Sequence, residues 1–463
     1  MQRSGDRRRA IAPALVWRGF AILIMLALPS TVTAQTSEPG LPADATLRQL
    51  IKDSLAARPE LAQAVALSRA NEERVSQAGA MPDPMLQVGI QNDGFTSIEI
   101  GRMGTSFVSL MAAQTFPWPG KRGLREQVAQ LGSSQSMKVV ARLRLSTEAE
   151  VRREYLELVL VRERLVLVGR LDEIWQRSTS FAQLRYETGG GPQADVLRAR
   201  LEQSRLAQRR LALLAQERSR VQALDRLSGR PLQQPVDTAS TRLRDLANLA
   251  PLERIFSVKQ ALLRSPELAA ARIGSARADK VLSLAGKSYY PDLTVSAGFM
   301  YRGQLPPMWL ATVAGPVPVF SGSKQSRAVA ESSSLLSAAQ SQVASVEQLL
   351  RLRSEDRRAA FSALRQIIDL YEQGLLVQSA ATTQSTLAQY QVGKVTFASV
   401  LEANAGLIAD QEGYLEAIAT AQRMLIAEAE VSLAAVGMPE GSATAASAMP
   451  GTESAPDDTT SGM

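Results

Sequence analysis

The residues that could do chemistry in this chain are few in kind. Its 463 residues include no cysteine and no histidine. That excludes thiolate catalysis, a cysteine-ligated zinc or cluster, a disulfide framework and an N-terminal lipid on cysteine. It also removes the commonest general base and metal ligand. An enzyme would have to work with carboxylates, lysine, serine or tyrosine alone, and no cluster of these makes a catalytic motif. No catalytic residue and no cofactor are expected. Met81, Met85, Met103 and Met111 gather in one stretch and carry soft-metal donors. Without His or Cys partners they read as gap-filling methionines, so no metal site is expected. Two segments, Tyr186 to Leu197 and Tyr390 to Leu401, hold the polar groups of most interest. Gly189-Gly190-Gly191-Pro192 must break a helix, and Gly393 can supply a left-handed C-cap. Asp195 and Ser399 then stand where the first turn of a helix favours an acceptor or a negative charge. Taken alone, these segments are the punctuation of helical hairpins.

The elements that position those turns are written twice. Leu55-Ala56-Ala57-Arg58-Pro59-Glu60-Leu61-Ala62 lines up with Leu262-Leu263-Arg264-Ser265-Pro266-Glu267-Leu268-Ala269 at an offset of 207 residues. Tyr186-Glu187-Thr188-Gly189 answers Tyr390-Gln391-Val392-Gly393 at an offset of 204. A repeat this long is a duplicated domain rather than a solenoid unit. No proline occurs between Pro119 and Pro192 or between Pro318 and Pro439. A proline inside a helix costs about 3 kcal/mol, and both stretches are rich in strong helix formers. The first predicts one helix of roughly 68 residues from Lys121 to Thr188, about 100 Å long at about 1.5 Å per residue. Several shorter helices, broken at Gly132 and Gly169, are the alternative.

Between the helical stretches the period changes to two. Leu86, Val88 and Ile90 alternate with Gln87, Gly89 and Gln91, and Leu293, Val295, Ala297 and Phe299 alternate with Thr294, Ser296 and Gly298. These are strands with one apolar and one polar face. Segments near 106–116 and 309–320 serve as return strands, giving two hairpins with strands of about ten residues, the length that crosses a bilayer at a tilt. Phe95, Phe107, Phe116, Trp118, Tyr289, Tyr290 and Trp309 fit interfacial girdles; for Trp118 and Tyr290, packing at a strand–helix corner fits as well.

The domain plan is therefore a signal peptide over 1–34, a first repeat over 35–230 with strands at about 84–116, and a connector over 231–251. A second repeat follows over 252–437, with strands at about 291–320, and then a disordered tail over 438–463. The signal is read from Arg3, Arg7, Arg8, Arg9 and Arg18, the apolar run Phe20–Leu28 and the cleavage pattern Val32-Thr33-Ala34. Losing five arginines and one aspartate with it lowers the formal charge from +7 to +3. The high pI thus belongs mostly to the signal, and no nucleic-acid partner is expected.

Four strands cannot close a transmembrane barrel, since the smallest bacterial barrels have eight, and an open edge in lipid leaves backbone groups unpaired. Spanning strands would have to be shared, twelve among three chains. This order of elements resembles the TolC-like outer membrane efflux family, the outer membrane factors of tripartite efflux systems. The resemblance rests on Arg58-Pro59-Glu60-Leu61 and Ser265-Pro266-Glu267-Leu268, on Tyr290-Pro291-Asp292-Leu293, and on the paired Tyr-x-x-Gly turns, and it covers about residues 45–437. It implies a mainly α fold with transmembrane β, built from a duplicated helix–strand–strand–helix–helix repeat. A homotrimer would form a 12-stranded β-barrel continued by a long periplasmic α-helical barrel. Phe116-Pro117-Trp118-Pro119-Gly120-Lys121-Arg122-Gly123 is similar to a segment of members that serve heavy-metal cation efflux.

What the resemblance implies for function follows from the family. The chain is expected in the outer membrane, among outer membrane lipids, with a large periplasmic portion. It would be a passive exit duct for substrates that an inner-membrane RND-type pump delivers through a periplasmic adaptor protein, heavy-metal cations among them. Gly189, Val196, Leu197, Gly393, Val400 and Leu401 would form the periplasmic tip that docks the adaptor. Asp195, Arg198, Ser399 and Glu402 are the candidates for closing its aperture. Ser399 stands where the family often carries an acidic residue, and Glu402 keeps the second one. A periplasmic coiled-coil adaptor or scaffold is the alternative; it accounts for the helices and export but not for two amphipathic hairpins.

Overall fold

The computed structural model describes residues 44–435, so the expected signal segment 1–34 and the tail 438–463 lie outside the described residues. The chain runs α1 (Ala45–Ala57), α2 (Pro59–Gly79), β1 (Met85–Gln91), β2 (Phe107–Phe116), α3 (Lys121–Glu187) and α4 (Gln193–Leu227). The second repeat runs α5 (Val258–Arg264), α6 (Pro266–Gly286), β3 (Leu293–Arg302), β4 (Leu305–Ala314), α7 (Gln325–Leu370), α8 (Leu376–Gln391) and α9 (Phe397–Glu430). Each repeat opens with two helices rather than one. The break is made by Pro59 and Pro266, each in the first turn of the second helix, where the missing N–H costs nothing and the preceding residue is pushed out of helical geometry.

The proline-free stretch from Lys121 is one helix of 67 residues; Gly132 and Gly169 do not break it. Its counterpart is also continuous, but in three pieces: 46 residues of α7, a five-residue π-turn over Tyr371–Leu375 and 16 residues of α8. Core contacts run along α3 from Ala149 to Ala182, and one stretch of it is enclosed most completely. From Tyr155 to Val161, Tyr155, Leu156, Leu158, Val159, Leu160 and Val161 are all buried, which is the pattern of a helix enclosed on every side. Around it stand Leu47 and Leu50 of α1, Leu224 of α4, Phe361 and Leu364 of α7, and Ile418 and Leu425 of α9. The segment after α4 closes this core with Val236, Leu243, Leu246 and Leu249, all buried. Burying a Leu or Val side chain contributes about 1.5–3 kcal/mol, so this middle section anchors the two long rods.

Charged pairs join the same helices alongside the core. Arg162 reaches Glu217 of α4 at 2.7 Å, Arg423 of α9 reaches Glu157 of α3 at 2.7 Å, and Arg164 reaches Glu416 at 2.6 Å. Arg357 of α7 and Glu428 of α9 form a fully buried pair, meeting at 2.7 Å with side chains 2% and 4% exposed. Ser354 also donates to Glu428, and Arg357 donates to the Ser432 carbonyl.

The four strands form one antiparallel sheet in the order β1-β2-β3-β4. β2 and β3 pair directly, Val108 with Tyr301 through Phe116 with Leu293, so the two hairpins of the duplicated halves are joined side by side. β1 has seven residues rather than about ten. β4 starts at Leu305, earlier than the expected 309, because the chain reverses at once after Arg302. Arg302 pairs with Leu305 and Met300 with Met308, leaving Pro306 and Pro307 opposite Tyr301 in a bulge. Two residues without N–H groups are tolerated there because the bulge leaves them out of the β3–β4 ladder.

Candidate functional site

Two regions of the chain are built for something other than packing: the sheet, and the pair of turns at the far ends of α3 and α8. The sheet has opposite characters on its faces. Leu293, Val295, Ala297, Phe299 and Tyr301 of β3 alternate with Thr294, Ser296, Gly298, Met300 and Arg302, and only the first set is exposed. Through the register, the apolar face continues into Leu110 and Ala112 of β2 and into Trp309, Ala311 and Val313 of β4. Leu86, Val88 and Ile90 extend it on β1 and are 69–73% exposed. The opposite face carries Gln87, Ser109, Thr115, Ser296 and Thr312. Among the described residues, no helix is long and apolar enough to cross a membrane. The outer edges of β1 and β4 have no partner strand among the described residues.

Where the strands meet the helices, the corner is locked by one carboxylate. Asp292 accepts hydrogen bonds from the Trp118 backbone N–H at 2.9 Å and from Lys121 Nζ at 2.8 Å, and Lys121 also donates to the Tyr290 carbonyl at 2.7 Å. The Trp118 and Tyr290 rings stack with centroids 5.1 Å apart. These two aromatics pack against each other at the corner, the second of the two roles the sequence allows them.

The paired turns share one geometry. In the first, Gly189 takes φ +74° and in the second Gly393 takes φ +76°, the left-handed C-cap that glycine adopts without strain. Gly190 N–H bonds the Arg185 carbonyl at 2.8 Å, and Lys394 N–H bonds the Gln389 carbonyl at 2.9 Å. Their surroundings differ. Tyr186 is 47% exposed, whereas its repeat counterpart Tyr390 is 1% exposed. Arg185 explains the difference. It donates to the Tyr390 carbonyl at 2.6 Å and to the Gly190 carbonyl at 2.7 Å, and its guanidinium lies 4.7 Å from the centre of the Tyr390 ring. The Tyr390 hydroxyl in turn donates to Asp195 Oδ2 at 3.1 Å. Burial, and then the charge of Asp195, push the Tyr390 hydroxyl up to about 12.

Each residue singled out at the turns has a definite place. Asp195 and Val196 are buried at the start of α4, as are Phe397 and Val400 at the start of α9. Leu197, Arg198 and Glu402 are exposed, Leu401 is half-buried against the core, and Ser399 is half-buried with its hydroxyl 3.4 Å from that of Thr396. The structure thus joins Asp195 to the opposite turn through Tyr390 and leaves Arg198 and Glu402 facing outward. Sequence reasoning missed Arg185 and Tyr390 as a pair. A signal was available: the second turn repeats the tyrosine of the first but pairs an aspartate in one half with a serine in the other.

Comparison with known proteins agrees with this geometry. Residues 257–435 match the outer membrane efflux protein family. No curated protein sequence matches the chain significantly. Among solved structures, the chain is similar to the outer-membrane channel OprN, with TM-score 0.67 and 18% identity over 84% of this chain and 90% of that one. It is similar to VceC of Vibrio cholerae, with TM-score 0.68 and 18% identity over 84% of this chain and 96% of that one. It is also similar to MtrE of Neisseria gonorrhoeae in its open state, with TM-score 0.68 and 16% identity over 85% of this chain and 90% of that one. Residues 257–435 are therefore an outer membrane efflux protein domain, and the chain as described has the fold of the TolC-like outer-membrane channels.

Proposed function

We propose that this chain is an efflux channel of the outer membrane, the passive exit duct of a tripartite system. The observation that carries the reading is the sheet: four strands with an apolar face, a polar face and two free edges. In lipid, each unpaired backbone group costs several kcal/mol, and β1 and β4 find partners if copies join edge to edge into a barrel of twelve strands. The same assembly sets the long rods side by side below it as a duct. Such a channel positions and conducts; the pump supplies the energy. Heavy-metal cations are the cargo that the Phe116–Gly123 segment suggests.

On this reading the paired turns form the inner mouth. Gly189, Val196, Leu197, Gly393, Val400 and Leu401 shape the surface offered to a periplasmic adaptor. With Asp195 engaged by Tyr390, Arg198 and Glu402 are the charges left to meet a neighbouring copy and narrow the opening. Native mass of the protein extracted in detergent from isolated outer membranes tests the assembly: a trimer supports it, and a soluble periplasmic monomer rules it out in favour of an adaptor or scaffold. The Arg198→Ala, Glu402→Ala double variant is expected to raise single-channel conductance in planar bilayers. Unchanged conductance would remove these two residues from the gate.

A further inference from the structure

The register of the sheet brings together four methionines that lie far apart in the sequence. Met85 of β1 stands opposite Ala113, two residues beyond Met111 of β2. Met111 stands opposite Gly298, two residues before Met300 of β3. Met300 and Met308 of β4 are direct partners. Side chains directly opposite on one face lie about 4.5–5.5 Å apart, and diagonal ones about 7–8 Å, within reach of long side chains. The four therefore form one unbroken diagonal band across all four strands. Gly298 makes room for it: a Cβ there would lie 2.6 Å from Met111 Cγ, so the Met111 side chain lies over that glycine.

The band sits on the face that carries Gln87, Ser109, Ser296 and Thr312, not on the apolar one. Gln87 and Ser109 border it on one side and Ser296 and Thr312 on the other, with Leu310 and Ala113 on the same face. The four strands contain a single charged residue, Arg302, and no carboxylate. Among the described residues, no group of three or more His, Cys, Asp or Glu could hold a metal ion. A hard divalent cation therefore finds no oxygen-rich cage on this wall. Thioethers are soft donors and select soft ions such as Cu(I). The sequence alone gives the methionines no partners and leaves them as gap fillers; the pairing of the strands supplies partners, including Met300 and Met308.

We propose that Met85, Met111, Met300 and Met308 form a transit site for thiophilic monovalent cations of the Cu(I) and Ag(I) class on the inner wall of the channel. The proposal rests on the reading of the sheet as a channel wall and narrows its cargo. Conduction needs binding strong enough to enter and weak enough to leave, and neutral thioethers without a carboxylate meet that need better than a closed cage.

The test is a silver titration of the full-length protein in detergent, carrying 13C-methyl methionine, in chloride-free buffer. The methyl signals of the four band methionines are expected to shift together. Those of Met137, which is 54% exposed on α3, and Met424, buried in α9, stay in place. The volume-conserving variant Met111→Leu, Met300→Leu, Met308→Leu is expected to bind silver at least tenfold more weakly while keeping the KCl conductance of the parent in planar bilayers. Silver bound as tightly by that variant, or band signals that respond to ethidium and not to silver, would overturn the proposal. Parent conductance tests the channel reading by itself. Its absence would remove that reading, and silver bound without any conductance would overturn transit with it.

Discussion

Replacing Tyr390 with phenylalanine removes one hydroxyl and little else from the joint between the two turns. The ring stays, and with it the Arg185 guanidinium 4.7 Å above it and the Phe397 ring with its centroid 5.3 Å away. What disappears is the 3.1 Å hydrogen bond to the Asp195 carboxylate, a group only 7% exposed. A hydrogen bond to a charged partner contributes about 1.5–3 kcal/mol, and a buried acceptor left short of a donor bears the full loss. At about 1.4 kcal/mol per tenfold, the turns should separate about ten- to a hundredfold more often. Hydrogen exchange reads this locally. Protection of the Gly190 and Lys394 amides, which are bonded at 2.8 and 2.9 Å, should fall by that factor, while amides of the enclosed stretch Tyr155–Val161 keep theirs. Unchanged protection at both turns would refute the joint. An equal fall at the turns and in the core would show that the effect is global.

Three further outcomes follow from the same geometry. The raised Tyr390 pKa makes the joint sensitive to base: its contribution is complete below the ordinary tyrosine value near 10 and disappears as pH rises through about 12. Turn-amide protection should follow that window and, in the phenylalanine variant, lose its dependence. Glu428→Gln leaves Arg357, whose side chain is 2% exposed, without its counter-charge. Breaking one partner of such a pair costs about 3–5 kcal/mol, and a loss under 1 kcal/mol in urea unfolding would mean water reaches the site. Phe299→Arg places a charge on the apolar face and should cost about 2–4 kcal/mol near the bilayer midplane, whereas Ser296→Arg, on the other face, should insert normally. Equal yields of the two variants in isolated outer membranes would contradict the assignment of faces.

The rods were legible because their signal is local and accumulates: seventy residues without proline leave a helix few places to stop. The alternation in β3 was equally plain, since each residue reports its own face. The start of β4 was not, because Pro306 and Pro307 argue against a strand until the bulge opposite Tyr301 is known. Long-range pairing was out of reach for a similar reason. Arg185 and Tyr390 lie 205 residues apart, and neither period nor propensity links them. The four methionines belong to the same class, since only the joining of two hairpins through β2 and β3 makes them neighbours. The burial of Leu243, Leu246 and Leu249 was hidden by the prolines and polar residues around them.

The π-turn at Tyr371–Leu375 makes the two halves unequal in a way their lengths conceal. Both rods count 67 residues, from Lys121 to Glu187 and from Gln325 to Gln391. One of them spends a residue on a wide turn, as a helix does when it absorbs a single insertion without breaking. Every side chain past Leu375 is therefore set back by about 100° and about 1.5 Å relative to an uninterrupted rod. Tyr186 and Tyr390, matched in the repeat, differ in burial, 47% and 1% exposed. The two turns therefore offer a partner two distinct surfaces, one with its tyrosine exposed and one with its tyrosine buried.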